Sequence, residues 1–218
     1  GLGNQFLANI RECDAIIHVL RCFDDSGIVH VDGSVDPVRD KEIIDMELQL
    51  KDLETLENRA KRVEKAARVG GDKAAKIEMD VIDTYRKVLL EGKSARTVSF
   101  ETEDEQAAAK SLFLLTAKPV LYVCNVDDKS ASTGNEHTAR VAEAIKDEEA
   151  EMLIISAQTE ADIAELETYE EKQMFLEDMG LSESGCNRLI KAIYSLLTLH
   201  TFITAGEMEV KAWTFRKG

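Results

Sequence analysis

The feature that most constrains this chain is a long segment, Val38 to Val69, that contains neither proline nor glycine. Asp36 and Pro37 precede it, a capping residue followed by proline at the first helical position, which is a common start for a helix. Apolar residues recur within it every three or four positions, with charged residues between them, as in a heptad-like seam. These apolar residues are Met46, Leu50, Leu53, Leu56, Ala60, Val63 and Ala67. From Asp40 to Val69 the pattern predicts one amphipathic helix of about 45 Å.

A second amphipathic segment follows the first after a glycine-rich turn. Gly70, Gly71 and Asp72 interrupt the helix, and helical spacing then continues to Gly92. The apolar positions of this second arm are Ile77, Val81 or Ile82, Tyr85 and Leu89. Two amphipathic arms joined by such a turn predict an antiparallel helical hairpin. A third helix is predicted over Glu103 to Leu115.

Three short apolar runs indicate a sheet. They are Ala15 to Leu20, Val120 to Cys124 and Met152 to Ile155. Each is rich in β-branched residues and nearly continuous, as are strands of parallel sheets that are covered on both faces. A helix predicted over His137 to Lys146 joins the second run to the third, and this strand–helix–strand order predicts an α/β domain with a parallel sheet. His18, in the middle of the first run, is predicted to be a packed core histidine.

The last part of the chain predicts one more helix and a small hairpin. The helix is predicted to begin after Ser182 or Ser184. Two short strands after it, Thr201 to Thr204 and Val210 to Phe215, are predicted to pair. Because two strands alone are marginally stable, this hairpin is predicted to begin another module.

Charge and composition exclude several classes of protein. The net charge of −15 argues against a chain uniformly coated for binding DNA or anionic membranes. No apolar run approaches the roughly 20 residues that span a bilayer, and the N-terminus lacks the pattern of a signal peptide. The four cysteines form no C-x-x-C pair and the four histidines are scattered, which indicates reduced thiols and no zinc site. We therefore expect a cytoplasmic protein with neither a membrane nor DNA as its partner.

The hairpin carries a local charge opposite to that of the whole chain. Between Asn58 and Lys76, seven basic residues face two acidic ones, a local charge of +5. The candidates for contacting a partner on the first arm are Arg59, Lys61, Arg62 and Lys65. They predict a surface for RNA or another acidic partner, and the alternative is a solvated helix face.

The carboxyl ends of the second and third strands carry residues suited to bind a nucleotide base. Ligands of open parallel sheets bind beyond these ends. Asn125 follows the second strand, with Asp128 three residues on, and Ser156 and Ala157 follow the third, which together form the base-recognition pattern of GTPase-like domains. An asparagine offers a donor and an acceptor, and backbone amides after Ser156 can reach a ring substituent. The alternative is a pair of ordinary turns, and the sequence contains no G-x-x-x-x-G-K-[ST] phosphate loop.

Several long segments resemble the YchF family of Obg-like ATPases. The chain opens with GLGNQFLANIRECDAIIHVLRCF, which resembles the stretch after that family's second switch. The start of the family's coiled-coil domain is similar to VDGSVDPVRDKEIIDMELQLKDLETLE. Further similar segments are GGDKAAK at the hairpin turn, LLTAKPVLYVCNV and FITAGEMEVKAWTFRKG. The resemblance covers essentially the whole chain.

The resemblance implies a fold of three parts. It implies an α/β protein in which a partial P-loop NTPase parallel sheet carries an inserted antiparallel α-helical coiled-coil hairpin and the start of a β-grasp-like TGS domain. The implied domains are the nucleotide-binding domain at 1–36 and 112–200, the helical domain at 37–111 and the TGS domain at 201–218. Because Gly1 would fall inside the second switch and Gly218 early in the TGS domain, we expect a fragment that does not hydrolyse nucleotide by itself.

The resemblance also implies an activity. It implies a translation-factor-class hydrolase that binds ATP, with GTP as the alternative, uses Mg²⁺ in the intact protein and is linked to the ribosome or to translation. The rival interpretation is a regulatory module that binds RNA or the ribosome through the basic hairpin, with nucleotide hydrolysis secondary.

Individual site residues follow from the same resemblance. Phe23 and Val126 are implied as apolar walls against the base, and Asn125 as the residue that hydrogen-bonds it. The segment Ser156–Ala157 would close the pocket through its backbone. The chain departs from the family at Asp128, where a glutamate is usual, and aspartate is the residue of guanine-specific relatives. Since Val126 stands where those relatives have lysine, adenine remains the favoured base.

Overall fold

The computed structural model describes residues 3–25, 27, 33–69, 71–148, 150–206 and 209–216. The chain divides into two units, one of Gly1–Ile16 with Arg39–Pro119 and the other of Ile17–Val38 with Val120–Gly218. The three-domain division implied by the resemblance stays a prediction. Three glycines named in the sequence analysis lie outside the described residues: Gly1, Gly70 and Gly218.

The first unit is built on a pair of long helices. The helices found in it are α1 (Asn4–Glu12), most of α2 (Pro37–Val69), α3 (Lys73–Leu90) and α4 (Glu103–Ser111). The predicted cap of α2 is present, since Asp36 accepts a hydrogen bond from the backbone N of Val38. Asp72, which was not predicted as a cap, accepts from two amides in the first turn of α3. Gly71 adopts a φ of +62°, a conformation that side chains with a Cβ disfavour, where the chain reverses direction.

The two long helices are antiparallel and pack through one apolar cluster. Arg59 of α2 pairs with Glu78 of α3, and further along Gln49 donates to the backbone O of Gly92 at 3.0 Å. The cluster contains Leu56, Ala60, Val81, Ile82, Tyr85, Leu89, Ala95, Leu112 and Leu114. This helix pair confirms the hairpin predicted from the spacing of apolar residues.

The predicted seam is wrong in the first half of α2. Met46 and Leu50 were expected in the seam, but each leaves 60% of its surface exposed. Leu48, at 7% exposure, points inward instead and packs with Leu7 and Leu115. The reason is that α3 ends at Leu90, and Leu48 on this end of α2 packs against α1 and the segment after α4 instead.

A buried carboxylate holds the chain just after α4, where Phe113 adopts a φ of +49° that does not continue a helix. The prediction extended this helix to Leu115, but it stops at Ser111. Asp52 of α2 is fully buried and accepts hydrogen bonds from Leu115 N at 2.8 Å, Thr116 N at 2.8 Å and Thr116 Oγ1 at 2.7 Å. Burial raises the pKa of Asp52, and these hydrogen bonds oppose the rise. Because the two amides bond to Asp52, they are unavailable to helical carbonyls.

The second unit contains a three-stranded sheet with helices between its strands. Its elements are β1 (Ile16–Arg21, from its second residue on), β2 (Val120–Asn125), α5 (Glu136–Ala144), β3 (Ala150–Ile155), α6 (Ala157–Glu165), α7 (Tyr169–Asp178) and α8 (Gly185–Leu196). The strand order is β1-β2-β3, and β2 runs parallel to β3 with Val120 opposite Ala150 and Asn125 opposite Ile155. The parallel sheet predicted from the apolar runs is confirmed.

The strands differ in how they are covered. The central strand β2 is buried along almost its whole length, as its continuous apolar run predicts. The same prediction is wrong for β1, where Ile17 is 43% and Val19 62% exposed. In the described part of the sheet β1 lies at an edge and only one of its faces is covered. His18 is half-buried there, with its ring 5.5 Å from that of Tyr122.

The sequence analysis did not predict α1, α6 or α7. A signal for α7 is present, because Thr168 and Glu171 form a capping box at its start. After α8 the chain forms β4 (Leu199–Ala205) and β5 (Val210–Arg216), an antiparallel pair that confirms the predicted hairpin. Among the helices that the structure describes, none is long and apolar enough to cross a membrane.

Candidate nucleotide-base site

Backbone hydrogen bonds bring the predicted base-binding residues to one edge of the sheet. Asn125 ends β2, directly opposite the last residue of β3. The backbone N of Cys22 donates to Asn125 O at 2.7 Å, which places Phe23 beside this strand end. The backbone N of Val126 donates to Ile155 O at 2.9 Å, next to Ser156. The sheet therefore collects residues from three separate parts of the sequence.

The side chain of Asn125 is held in one orientation. Its Oδ1 accepts a hydrogen bond from the backbone N of Ala157 at 3.0 Å. Because an amide N–H requires an acceptor, this bond identifies the other atom of the side chain as the NH₂ group. Among the described residues, Nδ2 of Asn125 has no hydrogen-bond partner. Asn125 therefore presents a donor to a ligand.

Asp128 is held through only one of its two oxygens. Its Oδ1 accepts from Ser156 Oγ at 2.6 Å and from Thr159 Oγ1 at 2.8 Å. We call Ser156 and Thr159 the hydroxyl pair; they are 2% and 1% exposed. Within the described ranges, Oδ2 of Asp128 accepts no hydrogen bond. Asp128 therefore presents one acceptor oxygen to a ligand.

Two sets of hydrogen bonds fix the start of α6, which carries the hydroxyl pair. Ser156 caps the helix, since its Oγ accepts from Thr159 N at 3.1 Å. Glu160 accepts from the backbone N of Gly185 at 2.6 Å and of Cys186 at 3.0 Å, at the first turn of α8. A Cβ on Gly185 would lie 2.8 Å from a methyl carbon of Ile155, so only glycine allows this close approach. The segment that carries the hydroxyl pair is thus rigidly mounted.

The two predicted apolar walls are placed differently. The ring of Phe23 is half-buried, with the guanidinium of Arg21 4.8 Å from its centroid. Val126 is only 3% exposed and offers little surface to a ligand in this conformation. Asn135 donates from Nδ2 to Cys22 O at 2.7 Å and so holds the strand end before Phe23. The roles of Phe23 and Val126 against a base stay predictions.

Sequence reasoning missed Thr159, Asn135 and Glu160. The signal for Thr159 was present, because a residue three positions after a capping serine returns to the same side of the helix start. Asn135 and Glu160 had no comparable signal, since their partners lie 113 and 25 residues away. Only the packing of the sheet against α5, α6 and α8 shows what these side chains hold.

The basic residues of the hairpin separate into two kinds. Arg59 forms an ion pair with Glu78 across the hairpin, and this pairing raises the pKa of Arg59. Lys61, Arg62 and Lys65 are exposed and have no ion-pair partner in the part of the chain that the structure describes. Three of the four predicted partner-binding residues therefore point their charge at solvent, and Arg59 stabilises the helix pair.

Among the described residues there is no group of three or more His, Cys, Asp or Glu side chains that could hold a metal ion. All four cysteines are free; Cys22 and Cys124 are buried, and Cys13 and Cys186 are exposed. A hydrogen bond with Cys124, together with burial, raises the pKa of the Cys22 thiol.

The known proteins that resemble this chain agree with one another in their names. No model of a protein family matches the chain. The chain is 51% identical over 220 residues to the "Ribosome-binding ATPase YchF" of Bacillus subtilis and covers 59% of that protein. It is 44% identical over 218 residues to the protein of the same name from Escherichia coli O157:H7, again covering 59% of it. It is 40% identical over 223 residues to the chicken "Obg-like ATPase 1" and covers 56% of it. In each case all of this chain is matched.

A solved structure agrees with these relatives. The whole chain superposes on 59% of the structure of the Schizosaccharomyces pombe YchF GTPase, with a TM-score of 0.87 and 33% sequence identity. The chain thus spans a little more than half the length of the relatives it matches. The similarity runs from its first residues to its last and includes the sheet, the helix pair and the final hairpin. This chain belongs to the YchF family of Obg-like ATPases.

Proposed function

We propose that this chain forms the base-binding part of an ATPase that takes ATP as its nucleotide, with GTP as the alternative. One observation carries the preference: the edge of the sheet presents one donor, Nδ2 of Asn125, and one acceptor, Oδ2 of Asp128. A purine that offers an acceptor beside a donor is complementary to this donor and acceptor. The backbone N of Ala157, which could bind a ring oxygen, is used by Asn125 instead.

The two purines differ in what they present along one edge. Adenine offers the N7 acceptor and the N6 amino donor there, whereas guanine offers two acceptors, N7 and O6. Adenine therefore matches a donor from Asn125 and an acceptor from Asp128. In the orientation that suits adenine, guanine would place O6 against the carboxylate of Asp128, and two acceptors repel each other. The relatives are named ATPase in some cases and GTPase in another, so the preference rests on the chemistry of this edge.

The complete activity that we propose is hydrolysis of the bound nucleotide. The three-stranded sheet is then part of a P-loop NTPase sheet, and β4 and β5 begin a β-grasp-like TGS domain. Such enzymes act by positioning the γ-phosphoryl group and stabilising its charge, and Mg²⁺ supplies much of that stabilisation when bound. No phosphate loop occurs in the sequence, so we assign no Mg²⁺ ligand to this chain and expect it to be inactive alone.

Calorimetry on the protein expressed from its complete gene tests this proposal. We expect ATP to bind about tenfold more tightly than GTP or better. Asn125→Ala should weaken ATP binding about tenfold, because the donor to the base is lost. Asn58→Ala, which removes an exposed amide from α2, is the matched control and should leave the affinity unchanged. Equal or tighter binding of GTP by the unmodified protein would contradict the preference.

A second function, binding of RNA or the ribosome, is favoured by the exposed charges of the hairpin. We propose that Lys61, Arg62 and Lys65 contact an acidic partner, since exposed lysine and arginine side chains gain most from phosphate groups. The bacterial relatives named as ribosome-binding ATPases make the ribosome the first candidate and the cytoplasm the expected location. Arg59 supports this surface through the helix pair rather than by contact.

Charge reversal separates partner binding from nucleotide chemistry. Replacing Lys61, Arg62 and Lys65 together by Glu should abolish co-sedimentation with ribosomes and leave ATP turnover intact. Arg59 stays unchanged, because its loss would also disturb the hairpin. The same charge change at three exposed lysines elsewhere in the first unit is the control: Lys87, Lys93 and Lys110. Equal sedimentation of both triple variants would remove the proposal.

A further inference from the structure

We infer that Thr159 is a positioning residue that makes the site select against guanine, by completing the hydrogen bonds of one oxygen of Asp128. The inference rests on the proposed function, because it concerns the same base site. Thr159 was not among the predicted site residues. It does not need to touch the base, since its hydroxyl acts through the carboxylate of Asp128.

The first step concerns the capacity of a single oxygen. A carboxylate oxygen has two lone pairs, so it accepts two good hydrogen bonds. Oδ1 of Asp128 already accepts two, from Ser156 at 2.6 Å and from Thr159 at 2.8 Å. With both lone pairs engaged, Oδ1 has no capacity left for a ligand. Only Oδ2 remains for the base.

The second step concerns the donors. Each hydroxyl has one proton, and the surroundings decide where it points. The Oγ of Ser156 accepts from Thr159 N at 3.1 Å, so its proton is left for Asp128. The hydroxyl pair is almost completely buried, which excludes water as a competing partner and strengthens hydrogen bonds to a charged group. The pair therefore stays on Oδ1.

The third step concerns the two bases. Guanine avoids the repulsion between O6 and Asp128 if it turns its ring N–H and amino group toward the carboxylate, which binds these two donors best when both of its oxygens accept. Adenine offers a single amino group, for which one oxygen suffices. With Oδ1 engaged, guanine can bind in the two-oxygen geometry only if a buried hydroxyl is displaced and left unsatisfied, which is costly. The hydroxyl pair therefore penalises guanine and leaves adenine unaffected.

Removing one hydroxyl tests this inference. Thr159→Val is nearly isosteric and frees one lone pair on Oδ1, whereas Thr159→Ser keeps the hydroxyl. On the protein expressed from its complete gene, the ratio of the Kd for GTP to the Kd for ATP should fall about tenfold in Thr159→Val, mainly through tighter GTP binding. Thr159→Ser should keep the ratio of the unmodified protein. A role limited to stability would weaken both nucleotides equally and leave the ratio unchanged, which would overturn the inference.

A second variant covers the case in which Thr159→Val does not fold. Ser156→Ala removes the other donor to the same oxygen and should lower the same ratio in the same direction. A ratio that is unchanged, or that rises, would overturn the inference. Failure of the underlying proposal has a different signature: the unmodified protein would bind neither nucleotide, or would prefer GTP. If the unmodified protein prefers ATP but neither variant changes the ratio of the two Kd values, only the role of the hydroxyl pair is contradicted.

Discussion

Two aspartates show how the two units use a carboxylate differently. In the first unit, Asp52 is fully buried, and both of its oxygens accept hydrogen bonds from one segment of chain. In the second unit, Asp128 is half-buried and accepts two bonds on one oxygen, with none on the other from any described residue. A carboxylate whose oxygens are both satisfied within the protein holds the fold together. One that is satisfied on a single side keeps an acceptor for a ligand, which is the role we propose for Asp128.

The largest expected effect is on stability, at Asp52. Replacing it by Ala leaves two buried backbone amides and a buried hydroxyl without an acceptor, so we expect the free energy of unfolding to fall by about 3 kcal/mol. Urea denaturation followed by circular dichroism measures this change. Glu57→Ala, at an exposed position of the same helix, is the control and should cost far less. A loss at Asp52 no greater than at Glu57 would break the comparison.

The second expected effect is on ligand binding, at Asp128. Asp128→Ala should weaken ATP binding by about tenfold or more, because an acceptor for the base is lost. The same substitution should lower the free energy of unfolding by about 2 kcal/mol, less than at Asp52, since two buried hydroxyls lose an acceptor where Asp52→Ala leaves three donors without one. Calorimetry and urea denaturation on the same preparations measure both quantities. A variant that loses stability but keeps its affinity would show that Asp128 resembles Asp52 after all.

A third prediction uses pH to sharpen the comparison. Burial raises the pKa of Asp52 in the folded state, so the native protein binds this proton more tightly than the unfolded chain. The contribution of Asp52 is therefore full below its ordinary pKa of about 3.9 and declines as the pH rises through the raised value. From pH 4 to pH 7, we expect the unfolding free energy of the unmodified protein to fall relative to that of Asp52→Asn. A pH-independent difference would contradict the raised pKa.

The smallest expected effect concerns the ion pair between the arms of the hairpin. Arg59 is 40% exposed, so water screens its attraction to Glu78. Arg59→Ala should lower the free energy of unfolding by only about 0.5 kcal/mol. A double-mutant cycle with Glu78→Ala isolates the pair from other contacts. If Arg59→Ala alone reduced ribosome binding as strongly as reversal of Lys61, Arg62 and Lys65, Arg59 would itself be a contact residue.

Local patterns predicted the elements of this fold well. The Asp–Pro start and the absence of helix breakers up to Val69 predicted α2, because capping and helix propensity act within a few residues. Continuous apolar runs predicted three strands within two residues of their bounds. Errors arose where a helix changes the neighbour it packs against, as at Met46 and Leu50, and where a strand lies at an edge, as at Val19.

The sequence by itself determined the family, the hairpin and the candidate base-binding residues. These depend on residue type, spacing and resemblance, which can be read along the chain. Only the tertiary structure decided that Asp52 is a structural carboxylate, that Arg59 is paired and that Thr159 completes one oxygen of Asp128. The physical reason is that a hydrogen bond is decided by distance and burial. Asp52 and Thr116 lie 64 residues apart in sequence but 2.7 Å apart in the folded protein.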